Sequence, residues 1–316
     1  MDIDKIFQDQ LIRITQQAAV SVYPYLGKND KIIADEAATN SMRKNLNKMN
    51  IKGNIVIGEG EMDEAPMLYI GEKVGTESGP ELDIAVDPLE GTNFAAKNLP
   101  GAISVIAISN KNDLFNAPES YMEKISYPKD IDHSAIDLDF SLKKNLSNLA
   151  DAKNKKFESL RICVLDRPRH KKIIDEAKSL NIDVKLISDG DVSGALLVTD
   201  EKHNIDLFLG TGGGPEGVLS ASALDSYGCG FQGRFIFDTD ELKKRANKMG
   251  ISDFDKKYML KEIIKGDSIF CATGITNGDL VDGLELKVNK IITRTLITHK
   301  SQNTTKIVTG ESYIKE

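Results

Sequence analysis

Apolar residues recur at helical spacing from the start of the chain. Phe7, Leu11, Ile14 and Ala18 fall at i, i+4, i+7 and i+11, and Tyr23-Pro24 followed by Gly27 ends the run. A second helix is predicted from Asn29-Asp30, where either side chain can cap it, to about Met49. Asn54–Ile57 reads as a short apolar strand that stops at Gly58-Glu59-Gly60. Asp63 then caps a further predicted helix, with Pro66 in its first turn and Gly75 at its end. Leu82–Val86 is a strand ending at Asp87-Pro88, and Ala102–Ser109 is a near-continuous buried strand.

From Phe115 to Phe157 the pattern loosens and turns polar. It predicts long connections with one short helix, and a boundary between two halves, 1–157 and 158–316. Beyond it, strands at Leu160–Leu165, Val184–Ile187 and Leu207–Leu209 alternate with helices at Pro168–Leu180 and Val192–Val198. Gly210 to Gly214 then opens another helix, a charged helix follows near Asp240–Met249, and strands near Ser268–Ala272 and Ile291–Ile297 complete this half. Such alternation predicts an α/β fold whose second half has a mostly parallel sheet covered on both faces.

The pattern becomes chemically informative where acids fall on apolar positions. Asp35 shares a helical stripe with Thr39, Met42 and Leu46, while Glu36 shares one with Asn40, Arg43 and Asn47. Asp35 therefore faces inward, either as an edge-of-core acid or as a ligand. Glu59 follows a buried strand and is flanked by glycines, which fits an acidic turn or a ligand at a strand end. Asp87-Pro88-Leu89-Glu90-Gly91-Thr92 repeats the arrangement. Carboxylates gathered out of water repel one another unless cations compensate, and hard divalent ions such as Mg2+ or Mn2+ take all-oxygen ligands.

Composition narrows the field. The 316 residues carry 41 Lys+Arg against 48 Asp+Glu, a formal charge of 41 − 48 = −7, so the basic footprint of a nucleic-acid partner is missing. No run of about 18 apolar residues predicts a membrane span. Acids stand where a signal peptide would be basic, and Cys163, Cys229 and Cys271 have no paired spacing. A cytoplasmic enzyme with neither nucleic-acid nor membrane partner is the expectation.

GEGEMDEAP followed by DPLEGT resembles class II fructose-1,6-bisphosphatase, the bacterial type within the lithium-sensitive, metal-dependent sugar and inositol phosphatases. The resemblance runs through nearly the whole chain. It takes in GKNDKIIADEAA, IVIGEGEMDEAPMLYIGEKVG, DIAVDPLEGT, NAPESYMEK, DRPRH, SDGDV, GTGGGPEGV and CATGITNGDL. It implies a layered αβαβα fold, hydrolysis of the 1-phosphate of fructose 1,6-bisphosphate in gluconeogenesis or glycerol metabolism, and a homodimer or homotetramer. Sedoheptulose 1,7-bisphosphate is an alternative substrate. The resemblance also implies Mn2+ or Mg2+ held by Asp35, Glu59, Asp87, Glu90 and Glu216, with Thr92 as catalytic hydroxyl and Lys31 and Asp63 supporting activity. Substrate contacts fall on Gly91, Thr92, Tyr121, Arg167, Pro168, Arg169, Asp189, Gly190, Asp191 and Gly213. Where the family commonly has glycine after the helix aspartate, this chain has Glu36, about 100° away on the wet face.

Read without the resemblance, several of these residues have bland alternatives. Asp189-Gly190-Asp191 fits a turn and helix cap, Arg167-Pro168-Arg169 surface charge, His170 a helix start, Tyr121 core packing and Thr92 a cap. Gly212-x-Gly214-x-x-Gly217, with Asp238 downstream, formally matches the dinucleotide fingerprint of an oxidoreductase. Pro215 at its helix start and Gly228, Gly230 and Gly233 in the packing that follows count against it, and it leaves the N-terminal acids unexplained.

Overall fold

The first helical run is α1 (Ile6–Val22), and its Phe7, Leu11, Ile14 and Ala18 are all buried. The second is α2 (Lys31–Leu46), whose cap is Asp30, accepting a hydrogen bond from the Ile33 amide at 3.1 Å. There follow β1 (Lys52–Ile57), β2 (Lys73–Val74), β3 (Glu81–Glu90), α3 (Thr92–Lys97) and β4 (Ile103–Asn110). The computed structural model describes residues 2–58 and 68–313. The predicted Asp63 cap and Pro66 lie outside the described residues. The end of that predicted helix is not helical, because Lys73–Val74 pairs antiparallel with β1 instead.

The middle of the chain supplies β5 (Tyr121–Tyr127), α4 (Leu142–Lys153), β6 (Arg161–Leu165), α5 (Lys171–Ser179), β7 (Asp183–Ile187) and α6 (Asp191–Leu196). It continues with β8 (Leu207–Gly213), α7 (Gly214–Tyr227), β9 (Gly230–Ile236), α8 (Asp240–Lys248), β10 (Tyr258–Met259) and α9 (Leu260–Ile263). The last strands are β11 (Ser268–Gly274), β12 (Glu285–Lys287), β13 (Lys290–His299) and β14 (Thr304–Tyr313).

These elements form two units, and the division differs from the one predicted at 157/158. Unit 1 comprises Met1–Glu119 with Ile264–Glu316, and unit 2 is Ser120–Ile263. The predicted boundary fails for two reasons. The polar stretch contains β5, a central strand of unit 2, and the C-terminal strands return to the first sheet.

Unit 1 is built on a mixed sheet in the order β12-β13-β11-β4-β3-β1-β2, with β14 on β13. Here β1 and β3 are parallel, and β3, β4, β11 and β13 follow one another antiparallel. Helix α1 packs across β4, β11 and β13, so Leu11 and Ile14 join Ile55, Ile84, Ile106, Ile269 and Ile297 in one apolar cluster. Removing such area from water is the main favourable term in folding.

Unit 2 has a sheet in the order β10-β9-β5-β8-β6-β7. Only β7, β6 and β8 run parallel, while β5, β9 and β10 are antiparallel. The fold is α/β as predicted, but this sheet is mixed rather than mostly parallel. The glycine run is also strand rather than turn, because Gly210–Gly213 pairs with Lys124–Tyr121 across β5. Strand β5 separates β8 from β9, so the adjacent parallel strands that a dinucleotide fingerprint needs are not formed.

One buried acid ties the ends of unit 1 together. Asp267 Oδ2 accepts from the Ile3 amide at 2.8 Å, His299 Nε2 at 2.9 Å and Ser301 Oγ at 2.8 Å, and Oδ1 accepts from the Ser301 amide at 2.9 Å. Burial alone would push this carboxyl up, yet His299, the two amides and the Ser301 hydroxyl outweigh it and hold the group well below the usual carboxylate range. A depressed folded-state pKa gives stability that is complete above the unfolded value, about 3.9, and is lost as pH falls below it. Asp267→Ala is expected to cost about 3 kcal/mol at neutral pH. The gap in melting temperature between parent and variant should stay constant down to about pH 5 and close below about pH 4. A gap that widens on acidification would refute this assignment.

Candidate active site

In unit 1, β3 delivers the acids. Asp87 and Glu90 are both buried, at 8% and 4% exposure, as is every position of β3 after Glu81, and three positions apart on a regular strand they would point to opposite faces. A bulge changes this. Asp87 pairs with Val105 and Glu90 with Ile103, so three steps on β3 match two on β4 and both acids project from the same face. Pro88, which has no amide to donate, sits inside that bulge, and the Leu89 amide donates to Asp87 Oδ1 at 3.2 Å.

The strand runs directly into α3 through Gly91, whose φ of +82° is left-handed, and Thr92 is the first helical residue. Gly91 holds the capping position and no side chain caps the helix, so Thr92 is not a cap. Helix α2 packs against both β3 and α3, and the chain ahead of it is fastened by the Gly27 amide to Ala95 O at 3.0 Å and the Asn29 amide to Ala96 O at 2.7 Å. Along α2, Asp35 is half-buried and Glu36 exposed, as the helical stripes predict, and Lys31 is exposed. Asp35 Oδ1 is buried with no hydrogen-bond partner, and burial, with the charge of Glu36 adding, pushes its carboxyl up to about 6. A carboxylate held this way is short of positive charge. Glu59 and Asp63 lie outside the described residues.

Unit 2 brings together the other predicted set. The carboxyl ends of β7, β6 and β8 lie side by side, and each delivers part of it. After β6, Arg167 Nη2 donates to Asp189 Oδ1 at 3.3 Å, and Pro168 opens a short 3-10 turn. Arg169 Nε donates to Thr211 O at 2.8 Å, and its guanidinium lies 5.1 Å from the centre of the Tyr121 ring. Tyr121 is 54% exposed, so core packing is not its role. After β7, left-handed Gly190, with φ of +85°, places Asp191 at the first position of α6. After β8, Gly213 caps α7, and a side chain there would collide with Glu216 in the first turn.

Two residues of this set carry no sequence signal of function. His170 is buried, with Nδ1 donating to Leu165 O at 2.7 Å and Nε2 accepting from the Thr211 amide at 2.7 Å. Burial pushes its pKa below the ordinary value, which fits a neutral brace between β6 and β8 rather than a base. Lys124 is a charge at the centre of β5, where alternation leads one to expect an apolar residue. Its ammonium pairs with Asp191 and donates to Gly213 O at 2.6 Å.

Among the described residues, no three acids, histidines or cysteines form a group that could hold a metal ion by themselves. The oxygen-only donors and the orphaned Asp35 Oδ1 nonetheless fit a hard divalent cation. Two cavities of unit 1, about 500 and 650 Å3, are lined by none of the predicted site residues.

Buried acids and a hydroxyl in unit 1, and arginines at strand ends in unit 2, are residue types that a divalent-metal-dependent phosphatase uses. Comparison with known proteins agrees. The family model described as "Bacterial fructose-1,6-bisphosphatase, glpX-encoded" matches residues 5–312. A "D-fructose 1,6-bisphosphatase class 2/sedoheptulose 1,7-bisphosphatase" of Trichodesmium erythraeum is 39% identical over 97% of this chain and 96% of its own. A "Fructose-1,6-bisphosphatase 1 class 2" of Escherichia coli is 40% identical over 96% and 94%. An inositol monophosphatase structure from Anabaena aligns with 62% of this chain and 71% of its own at 12% identity, with a TM-score of 0.32, too distant to carry an argument. The chain belongs to the bacterial, glpX-encoded fructose-1,6-bisphosphatase family.

Thr92 provides a direct test of this geometry. Thr92→Ala is expected to lower kcat about 10² to 10⁴-fold, the range for removing one proton-transfer group, with substrate affinity little changed. Thr92→Ser should retain measurable turnover. An alanine enzyme that melts earlier yet turns over at the parental rate would make the residue structural.

Proposed function

We propose that this chain hydrolyses the 1-phosphate of D-fructose 1,6-bisphosphate to give fructose 6-phosphate and inorganic phosphate. The observation that carries the reading is the family match over residues 5–312. The same-face placement of Asp87 and Glu90 ahead of Thr92 supports it. Asp35, Glu59, Asp87, Glu90 and Glu216 would hold the divalent cations, Mn2+ or Mg2+. When bound, such ions supply charge neutralisation and Lewis acidity at a phosphoryl group.

The remaining chemistry belongs to the chain. Thr92 presents a hydroxyl that orients the attacking water, and a neighbouring acid, Glu59 or Asp63, takes the proton that this water gives up. Lys31 adds positive charge at the start of α2. As water attacks phosphorus, the bond from phosphorus to the C1 oxygen breaks, and that oxygen leaves with the proton that the acid had taken from water. Gly91 keeps the backbone open beside the reacting group. Arg167, Arg169 and Tyr121 bind the non-reacting 6-phosphate, with Arg167 and Arg169 offering planar forks of donors that match phosphate oxygens. Asp189 and Asp191 accept from sugar hydroxyls, and Gly190 and Gly213 let the backbone come close. Binding the distal phosphate positions the reacting one.

Sedoheptulose 1,7-bisphosphate is a second substrate on this reading, favoured by the double name of the Trichodesmium relative. Among the described residues no helix is long and apolar enough to cross a membrane. The proposal extends to a cytoplasmic homodimer or homotetramer serving gluconeogenesis and growth on glycerol.

Phosphate release from fructose 1,6-bisphosphate is expected to vanish after exhaustive dialysis against EDTA and to return with Mn2+ or Mg2+. Full activity in the dialysed protein would refute the metal requirement. Arg167→Ala should raise KM more than it lowers kcat, because its contact is made equally in ground and transition states. A large fall in kcat at unchanged KM would move Arg167 to the chemical step.

A further inference from the structure

Lys124 is 1% exposed and stands in the middle of the unit 2 sheet. Its cross-strand partners are Gly210 on β8 and Gly233 on β9. Its stem passes Gly217 of α7, where an added Cβ would come within 3.7 Å of Lys124 Cε. The ammonium reaches two groups at the carboxyl ends that carry the substrate set, Asp191 four positions beyond β7 and Gly213 at the end of β8. It pairs with Asp191 Oδ2 and donates to Gly213 O at 2.6 Å. Asp191 is itself 7% exposed, and its other oxygen, Oδ1, is buried with no hydrogen-bond partner. Burying a charge pair in this way costs desolvation that only good geometry repays, and a half-used carboxylate would be a liability in a purely structural pair.

We infer that Lys124 is a positioning residue for sugar recognition, holding Asp191 by Oδ2 so that Oδ1 accepts a hydrogen bond from a hydroxyl of the sugar bisphosphate. By the same reach it fixes the Gly213 carbonyl, and with it the end of β8 from which α7 starts. The inference rests on the sugar-bisphosphatase reading above, and it adds a residue that itself touches no substrate.

The test is steady-state kinetics on fructose 1,6-bisphosphate with saturating Mn2+, read beside melting temperature for each protein. Lys124→Met is expected to raise KM about 10- to 100-fold, the equivalent of one hydrogen bond to a charged group, and to leave kcat within about threefold. Asp191→Asn should raise KM similarly, and adding Lys124→Met to it should change KM less than about twofold, because the two residues act as one unit. A lysine that merely braced the fold would lower the melting temperature in both backgrounds and leave KM parental, which would overturn the inference. If Lys124→Met alone does not fold, the double variant, which leaves no unpaired buried charge, is compared with Asp191→Asn, and a further tenfold rise in KM would overturn it equally. The parent is assayed first. A parent without turnover refutes the proposed activity, whereas an active parent beside a Lys124→Met enzyme of parental KM refutes the role of Lys124 alone.

Discussion

Carboxylates resist leaving water, and unit 1 holds three of them, Asp35, Asp87 and Glu90, at buried or half-buried positions. Asp35 stands on a helix stripe that is otherwise apolar, and burial pushes its carboxyl up to about 6. Asp87 and Glu90 are buried on one face of a central strand. Burying ionised carboxylates costs free energy on folding, because protein contacts replace only part of the hydration they give up. The apolar cluster beneath the sheet and the Asp267 latch at the ends of the unit supply the stability against which that loss is set. On the proposed reading, cations held by these acids also neutralise an anionic substrate on a protein whose own formal charge is −7.

Unit 2 gathers its polar groups at three parallel strand ends, with the arginines after β6, the aspartates after β7 and the glycines at the end of β8. Arg167 and Asp189 pair across two of these ends at 3.3 Å. His170 and Lys124 brace this edge from beneath, one by backbone contacts and one by a buried ion pair. Rigid support of this sort keeps recognition groups near productive geometry.

What the sequence revealed follows from the range of the physics involved. Helices α1 and α2 are local, and their 3.6-residue stripes were legible, down to the opposite faces of Asp35 and Glu36. Strand β4 was legible from its unbroken apolar run. The acids and the hydroxyl stood out because they end buried strands. Strand β5 was hidden because Lys124 interrupts its pattern, and the partner that makes this charge tolerable lies 67 residues further on. The shared face of Asp87 and Glu90 depends on register against β4, for which Pro88 is the only local hint. The return of β11 to β14 to the first sheet is likewise a matter of long-range pairing, which periodicity does not encode. Gly210–Gly213 looked like a turn because glycine permits one, and extended pairing with β5 overrides that freedom.

On the proposed function, Asp87 and Glu90 hold divalent cations that relieve the cost of burying both charges on one face of β3. Mn2+ titration followed by the paramagnetic resonance of the free ion, on the parent and on an Asp87→Asn/Glu90→Gln double variant, tests it directly, with melting temperatures taken in EDTA. The double variant is expected to lose most Mn2+ uptake and, with both buried charges gone, to melt no lower than the parent without metal. A double variant that takes up Mn2+ as the parent does, and melts well below it in EDTA, would show that these two acids are structural and do not hold the cation.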